Sequence, residues 1–227
     1  MIADILPAAA AAAESIGPEP APGLGLFPAE EALARTADPR RRAEFAAGRL
    51  CARKALASLG LPATPVLAGR AGQPQWPAGV TGSITHCAGY RACAVALTAD
   101  IAALGIDAEP DRGLPPGLIE SLATSAERAW LARQAAAWPA LCWDRLLFSA
   151  KEAVAKLWYP LTGRWLGSGD VAVFPTTAGR FGVRLAGPDR APDTPLAARL
   201  TGRWLAGGGL LLTAVTCPAA TGPAQRD

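Results

Sequence analysis

The spacing of apolar and polar residues divides the chain into helical and extended stretches in a repeating order. From Pro39, the residues Phe45, Leu50, Ala52, Leu56 and Leu59 recur at roughly helical spacing until Gly60 and Pro62, which predicts one long helix. After a Gly- and Pro-rich loop from Ala68 to Gly82 the pattern turns to strands: Ser83 to Cys87, a turn at Ala88 and Gly89, Arg91 to Leu97, and a third run from Ala103 to Glu109 that stops at Pro110. Leu114 to Trp138 reads as mostly helical. Trp143, Leu146, Leu147, Ala150, Val154 and Leu157 then make one apolar stripe, the mark of a second long helix. Further strands are expected at Asp170 to Phe174, Phe181 to Leu185, Arg203 to Leu205 and Leu210 to Thr216, before a polar tail from Pro218. Residues 1 to about 35 are expected to wrap the surface with one short helix near Glu30 to Arg35. Each half thus reads as helical material followed by an antiparallel hairpin and another strand. The predicted class is α+β, with two similar subdomains meeting near Gly105.

Composition narrows the function classes. A chain of 227 residues with 51% hydrophobic content fills a substantial core, so disorder is not expected. The net charge of +3 is too small for a nucleic-acid coat, yet Arg40, Arg41, Arg42, Arg49, Arg53 and Lys54 fall close together, which suits a phosphate-rich small molecule or a solvated helix face. Five cysteines with no CxxC spacing suit neither a disulfide framework nor a zinc site, and read as small apolar residues in a reducing compartment. The run Ala8 to Ala13 follows Asp4 and Pro7 with no basic residue ahead of it, unlike a secretion leader. Apolar segments are broken by Pro, Gly or charge before they reach membrane-spanning length. A soluble cytoplasmic protein is expected.

The candidate chemistry sits in two segments. In a strand reading of GIDAE, Asp107 and Glu109 project from one side while Ile106 and Ala108 face the other. Two anions held together call for a cation, and a hard divalent ion completed by water and phosphate oxygens fits them; alone, the pair also reads as a solvated strand end. A third carboxylate comes from FSAKEAVAK, where Glu152 and Lys156 are four apart on one helix face. Ser149 and Glu152 have the spacing of a capping box, but the unbroken stripe puts Ser149 inside the helix. Arg49 and Arg53, also four apart, repel each other unless something anionic lies between them, a hint of phosphate. His86 is the only histidine and adjoins Ser83 and Thr85, three side chains able to donate to phosphate oxygens, although a lone histidine is more often structural.

In the order RRRAEFAAGRLCARKAL, GQPQWPAGVTGSITHCAGY, GIDAEP and FSAKEAVAKLWYPLTGRWLG, these segments span residues 40 to about 167. That series resembles the Sfp-type 4′-phosphopantetheinyl transferases, particularly the branch like the enterobactin-synthase transferase. The resemblance implies two pseudo-symmetric α+β subdomains, 1–104 and 105–227, with coenzyme A in the cleft between them. It implies transfer of 4′-phosphopantetheine to a serine of apo acyl, peptidyl or aryl carrier proteins, with release of 3′,5′-ADP. By the same carry-over, Asp107, Glu109 and Glu152 bind Mg²⁺, for which Mn²⁺ can substitute. His86 with Arg41 or Arg42, Arg49 and Ser83 would hold the adenosine 3′-phosphate end, with Thr85 and Arg53 beside them. Lys151 and Lys156 would meet the pyrophosphate, and Trp165 would line the pantetheine channel. Relatives often carry a basic residue before the GxPxWP loop, where Arg70 stands in here. Glu152 is then the expected base, directly or through a metal-bound water, with Asp107 on the metal and Lys156 at the leaving group.

Two rivals remain open on the residues. A metal-dependent nuclease or phosphodiesterase also uses separated acidic residues and a lysine, but such sites place the lysine two residues beyond an acidic strand residue, and Glu109 is followed by Pro110 and Asp111. A catalytically silent carrier-binding module would not need Asp107, Glu109, Glu152 and Lys156 together. Family members of this length usually act as monomers, with no nucleic-acid or membrane partner. The carrier served, in fatty-acid, polyketide or nonribosomal-peptide assembly, is not legible.

Overall fold

A computed structural model describes residues 1–18, 21, 23–185 and 194–220. The first half runs β1 (Ala10–Ile16), α1 (Pro28–Ala34), α2 (Pro39–Ser58), β2 (Leu67–Ala68), β3 (Pro74–Gln75), β4 (Val80–Cys87) and β5 (Tyr90–Leu97). The second runs β6 (Ile101–Pro110), α3 (Leu118–Leu122), α4 (Ser125–Ala137), α5 (Trp143–Thr162), β7 (Val171–Val173), β8 (Arg180–Phe181), β9 (Val183–Leu185), α6 (Thr194–Ala197), β10 (Thr201–Gly207) and β11 (Leu210–Pro218). The main sheets have the orders β1-β5-β4 and β6-β11-β10-β8, and β2-β3 and β7-β9 form minor two-stranded pairs. Each half therefore repeats one plan: a strand, helices, a minor pair, then a hairpin whose second strand pairs antiparallel with the opening strand. The 104/105 junction lies inside β6, and the chain passes between the sheets at the turn before Ile101.

Alternation along the strands sorts side chains onto the two faces of each sheet. On β5, Cys93 and Val95 pack with Cys51, Ala52, Ala55 and Leu56 of α2. Its other face, Tyr90, Ala92, Ala94 and Ala96, joins Leu104, Ile106 and Ala108 of β6 and Leu212 and Ala214 of β11 in a core shared by both halves. The opposite face of the second sheet packs Ala103 and Val215 under Leu147, Ala150, Val154 and Leu157 of α5. The layers thus run α2, first sheet, second sheet, α5, and the side of β6 that carries Asp107 and Glu109 is the side that meets α5.

Two expectations change. The alanine run does not wrap the surface: Ala10 to Ile16 pair residue by residue with Ala96 to Tyr90 as a strand. Small side chains allow this because they cover the shared core without thickening it. On α2, Phe45, Leu50 and Leu59 are only partly buried, while Ala43, Ala46, Ala47, Cys51, Ala52 and Ala55 make the packed face. A helix seated this close to a sheet buries its small residues, and a Cβ on Gly48 would lie 3.0 Å from Ile84 Cγ2. The stripe on α5 is fully buried as expected, and the helix continues to Thr162 before Gly163 ends it with φ 68°. The described part of the polar tail stops at residue 220, and the rest lies outside the described residues.

Candidate active site

Gly105 brings α5 onto β6. A Cβ at that position would overlap the carbonyl oxygen of Ala153 and lie 2.8 Å from the amide nitrogen of Leu157, so only glycine lets the helix backbone rest on the strand. With the helix held there, two residues along β6 the buried carboxylate of Asp107 meets three side chains from two elements, α5 and β4. Its Oδ1 accepts from Lys156 Nζ at 2.6 Å and from Thr85 Oγ1 at 3.2 Å, and its Oδ2 accepts from Ser149 Oγ at 2.8 Å. Glu109, on the same side of the strand, accepts from Arg145 Nη1 at 2.8 Å. Arg145 also donates to the carbonyls of Arg112 and Gly113, strapping the loop after β6 to the start of α5.

Electrostatics ties the acidic groups together. Burial, and then the charge of Asp107, push the carboxyls of both Glu109 and Glu152 above the usual carboxylate range. The thiol of Cys87 at the end of β4 is raised to about 11, first by burial and then by Glu109 and Asp107. Such a concentration of negative charge favours a cation, and oxygen donors of this kind fit a hard divalent ion that keeps part of its water. Among the described residues no three acidic, histidine or cysteine side chains form a ready-made metal cage. Two protein cations, Lys156 and Arg145, rest on Asp107 and Glu109.

A cleft of about 230 Å³ opens in front of this group. Gly72, Gln73 and Pro74 at the turn into β3, together with Ser83 and Ile84 of β4, form the wall from the first half. Glu152, Lys156 and Tyr159 of α5, with Trp165, form the wall from the second. Asp107 and Glu109 are not among the lining residues, so Lys156 separates Asp107 from the open space. Trp165 is 69% exposed and meets Tyr159 edge to face at 6.1 Å, an aromatic rim at the mouth.

Of the basic residues expected near a phosphate, Arg41 and His86 do meet: Arg41 Nη1 lies 2.9 Å from His86 Nε2, beside the carboxylate of Glu44. The others are engaged elsewhere. Arg42 pairs with Glu31. Arg49 is buried over the ring of Phe45 and donates from Nε to Val66 O at 2.7 Å, and desolvation lowers its guanidinium to about 10. The anion inferred between Arg49 and Arg53 is internal: the fully buried Glu30 pairs with Arg53 at 2.9 Å and its charge also acts on Arg49. Arg70 is exposed on the loop and is absent from the lining of the cleft.

Lys151 is the clearest departure. Buried beneath α5, it donates to Glu127 at 2.8 Å and to the carbonyls of Leu122 and Ser168 at 2.7 Å each, so it ties α3, α4 and the segment after α5 together rather than facing the cleft. Ser83 and Thr85 are likewise occupied: Ser83 Oγ accepts from Ile106 N and Thr85 Oγ1 from Ala108 N, both at 3.1 Å, which joins the two halves by side chains where no strand pairing exists. Thr213, Arg145 and Tyr159 carry no signal in the sequence, and Ser149 reads there only against a helix cap. Only the hydroxyl of Ser149 inside an apolar helix stripe signalled anything.

Two family models match, one in each half of the chain. Residues 29–96 match the 4′-phosphopantetheinyl transferase N-terminal domain, and residues 103–204 match the 4′-phosphopantetheinyl transferase superfamily. The 4′-phosphopantetheinyl transferase Svp of Streptomyces mobaraensis is 48% identical over 230 residues, covering 100% of this chain and 93% of the relative. This chain belongs to that superfamily. The transferase PptT of Mycobacterium tuberculosis is 45% identical, covering 86% of this transferase and 87% of the relative. Enterobactin synthase component D of Escherichia coli is 38% identical over 119 residues, 52% of this chain and 54% of the relative. No helix among the described residues of the transferase is long and apolar enough to cross a membrane.

Proposed function

We propose that the cleft between β4 and α5 is where this enzyme moves the 4′-phosphopantetheine of coenzyme A onto the serine of an apo acyl, peptidyl or aryl carrier protein, with Asp107, Glu109 and Glu152 as the ligands of Mg²⁺. The observation that carries the reading is convergence: Glu152 and Lys156, one turn apart on α5, line the cleft directly in front of the buried Asp107. Bound there, the ion supplies charge neutralisation at the pyrophosphate as negative charge develops.

The protein's own groups account for the rest. Glu152, whose carboxyl is held above its ordinary range by burial and by Asp107, is suited to take the serine proton as the hydroxyl oxygen attacks the phosphorus next to the pantetheine. The bond from that phosphorus to the bridging oxygen breaks and 3′,5′-ADP departs. Lys156 carries its ammonium at the cleft wall, where it stabilises the leaving group's charge. Arg41 and His86 would hold the 3′-phosphate, with Glu44 releasing Arg41 as the phosphate arrives. Tyr159 and Trp165 offer apolar rings to the pantetheine arm. Positioning and electrostatics suffice for transfer at phosphorus, so no covalent enzyme intermediate is required.

Intact-mass measurement of an apo carrier protein incubated with the enzyme, coenzyme A and Mg²⁺ tests this. The expected result is a gain of about 340 Da that chelation abolishes. Hydrolysis of nucleic acid without that gain would favour a nuclease, and carrier binding without it a silent module.

A further inference from the structure

Two buried hydroxyls in the second half have no place in the chemistry described above. Ser149 stands in the middle of the apolar face of α5, and Thr213 interrupts the apolar strand Leu210–Pro218; both are fully buried. A serine inside a helix adds nothing to helix stability, and an unpartnered hydroxyl in a core is costly. Thr213 sits directly opposite Asp107 in the β6–β11 register. Its Oγ1 lies 2.9 Å from Ser149 Oγ and 3.0 Å from the carbonyl oxygen of Ser149, while Ser149 Oγ lies 2.8 Å from Asp107 Oδ2.

Proton inventory sets the direction of this chain. An ionised carboxylate only accepts, so the single hydroxyl proton of Ser149 goes to Asp107 Oδ2. Ser149 Oγ can then only accept toward Thr213, and the Thr213 proton is shared between the Ser149 hydroxyl and carbonyl oxygens. We infer that Ser149 and Thr213 are positioning residues that set which oxygen of Asp107 faces the cleft. Oδ2 is tied to the helix from behind. Oδ1 bears Thr85 and the ammonium of Lys156, which reaches the cleft wall, so it is the oxygen at which an incoming cation would take the place of that ammonium. Because Ser149 stands three residues before Glu152, the same relay locks the strand carboxylate to the helix that carries the other one. Without it, Asp107 could turn about its terminal torsion, a broad two-fold well.

This inference rests on the reading of Asp107 as a metal ligand, and the experiment separates the two. Mn²⁺ binding to the full chain with coenzyme A and no carrier is followed by electron paramagnetic resonance, together with the Mg²⁺ concentration giving half-maximal turnover. Ser149→Ala should weaken Mn²⁺ binding and raise the Mg²⁺ requirement by about tenfold, the scale of one hydrogen bond to a charged group. Coenzyme affinity measured without metal should not change. Thr213→Val, which leaves the Ser149 to Asp107 bond in place, should give a smaller shift of about threefold, and Thr213→Ser should restore the original value. Should Ser149→Ala fail to fold, the Thr213 pair decides alone, with equal Mn²⁺ affinity in the valine and serine variants overturning the relay. If the unaltered enzyme binds Mn²⁺ and Ser149→Ala binds it equally well, the relay is wrong and the metal reading stands. Absence of Mn²⁺ binding by the unaltered enzyme with coenzyme A would overturn both.

Discussion

The two halves solve the same structural problem with the same parts and then diverge in chemistry. In the first, Glu30 accepts from the amide of Phe27 three residues earlier, from Val66 N, and from Arg53 of the long helix α2. In the second, Glu127 accepts from the amide of Thr124 three residues earlier, from Val173 N, and from Lys151 of the long helix α5. Both carboxylates are fully buried. Each fastens a short helix, a minor strand pair and a long helix with one charge. The two cations so employed are both residues whose sequence context suggested a coenzyme phosphate. Counting back along the partner strand from the turn glycines Gly89 (φ 75°) and Gly209 (φ 74°), the positions of Asp107 and Glu109 correspond to Ala13 and Ser15 of β1. One opening strand is packing material and the other is a carboxylate mount, so the symmetry supplies the frame and only one half supplies the acidic chemistry.

That comparison is most exposed at the carboxylates. Glu152→Gln should lower turnover by roughly 10²–10⁴-fold, while Ser15→Ala at the position matching Glu109 should leave it unchanged. The same substitution should not destabilise the protein. A carboxyl whose folded-state pKa is raised contributes stability below its unfolded pKa and loses it as pH rises through the folded value, so ionised Glu152 weakens the fold at pH 7. Glu152→Gln should therefore melt higher at neutral pH, by about 2–4 °C per kcal/mol relieved, with the gain vanishing near pH 4. A lower melting temperature at pH 7 would contradict the crowding of charge described for this site.

Next in size are the two buried ion pairs. Lys151→Met leaves Glu127 buried without its cation and should cost about 3–5 kcal/mol, read from chemical denaturation, with the KM for coenzyme A unchanged. Arg53→Met should cost less, about 1–3 kcal/mol, because Arg53 is closer to solvent than Lys151. Adding Glu127→Gln to Lys151→Met should recover part of the loss. A raised KM at full stability would instead put Lys151 on the coenzyme. The helix seats differ in a similar way. Gly105→Ala drives a methyl into the backbone of α5 and should cost roughly 2–3 kcal/mol along with most activity, whereas Gly48→Ala meets only the end of Ile84 and should be near neutral, its contact offset by better helix propensity. At the surface, Arg41→Ala or His86→Ala should raise the KM for coenzyme A by about tenfold, more steeply at low salt.

Much of the frame was legible because it depends on period. The α5 stripe, the β4–β5 and β10–β11 hairpins and the shared orientation of Asp107 and Glu109 follow from repeats of 3.6 and 2 residues. The alanine strand was not legible, since a run of one small residue carries no period. On α2 the large apolar side chains mark the helical period, yet close approach to the sheet selects the alanines for burial instead. The partners of Arg53 and Lys151 were not legible for another reason. A cation's sequence context records that it needs an anion but not whether the anion is a ligand or a glutamate 23 residues away, as Glu30 is from Arg53.

By itself, then, the order of residues determined the α+β class, the duplicated plan, the membership of the transferase superfamily and which carboxylates share a face, because each of these is a local pattern or a string of matching segments. Only the tertiary structure decided which charges are spent inside. Arg53 and Lys151 became fasteners, Ser83 and Thr85 became the seam between the halves, and Ser149 became a support for Asp107. Pairing between groups far apart along the chain is set by how strands and helices stack, and a buried charge or hydroxyl takes whichever partner that stacking brings within reach.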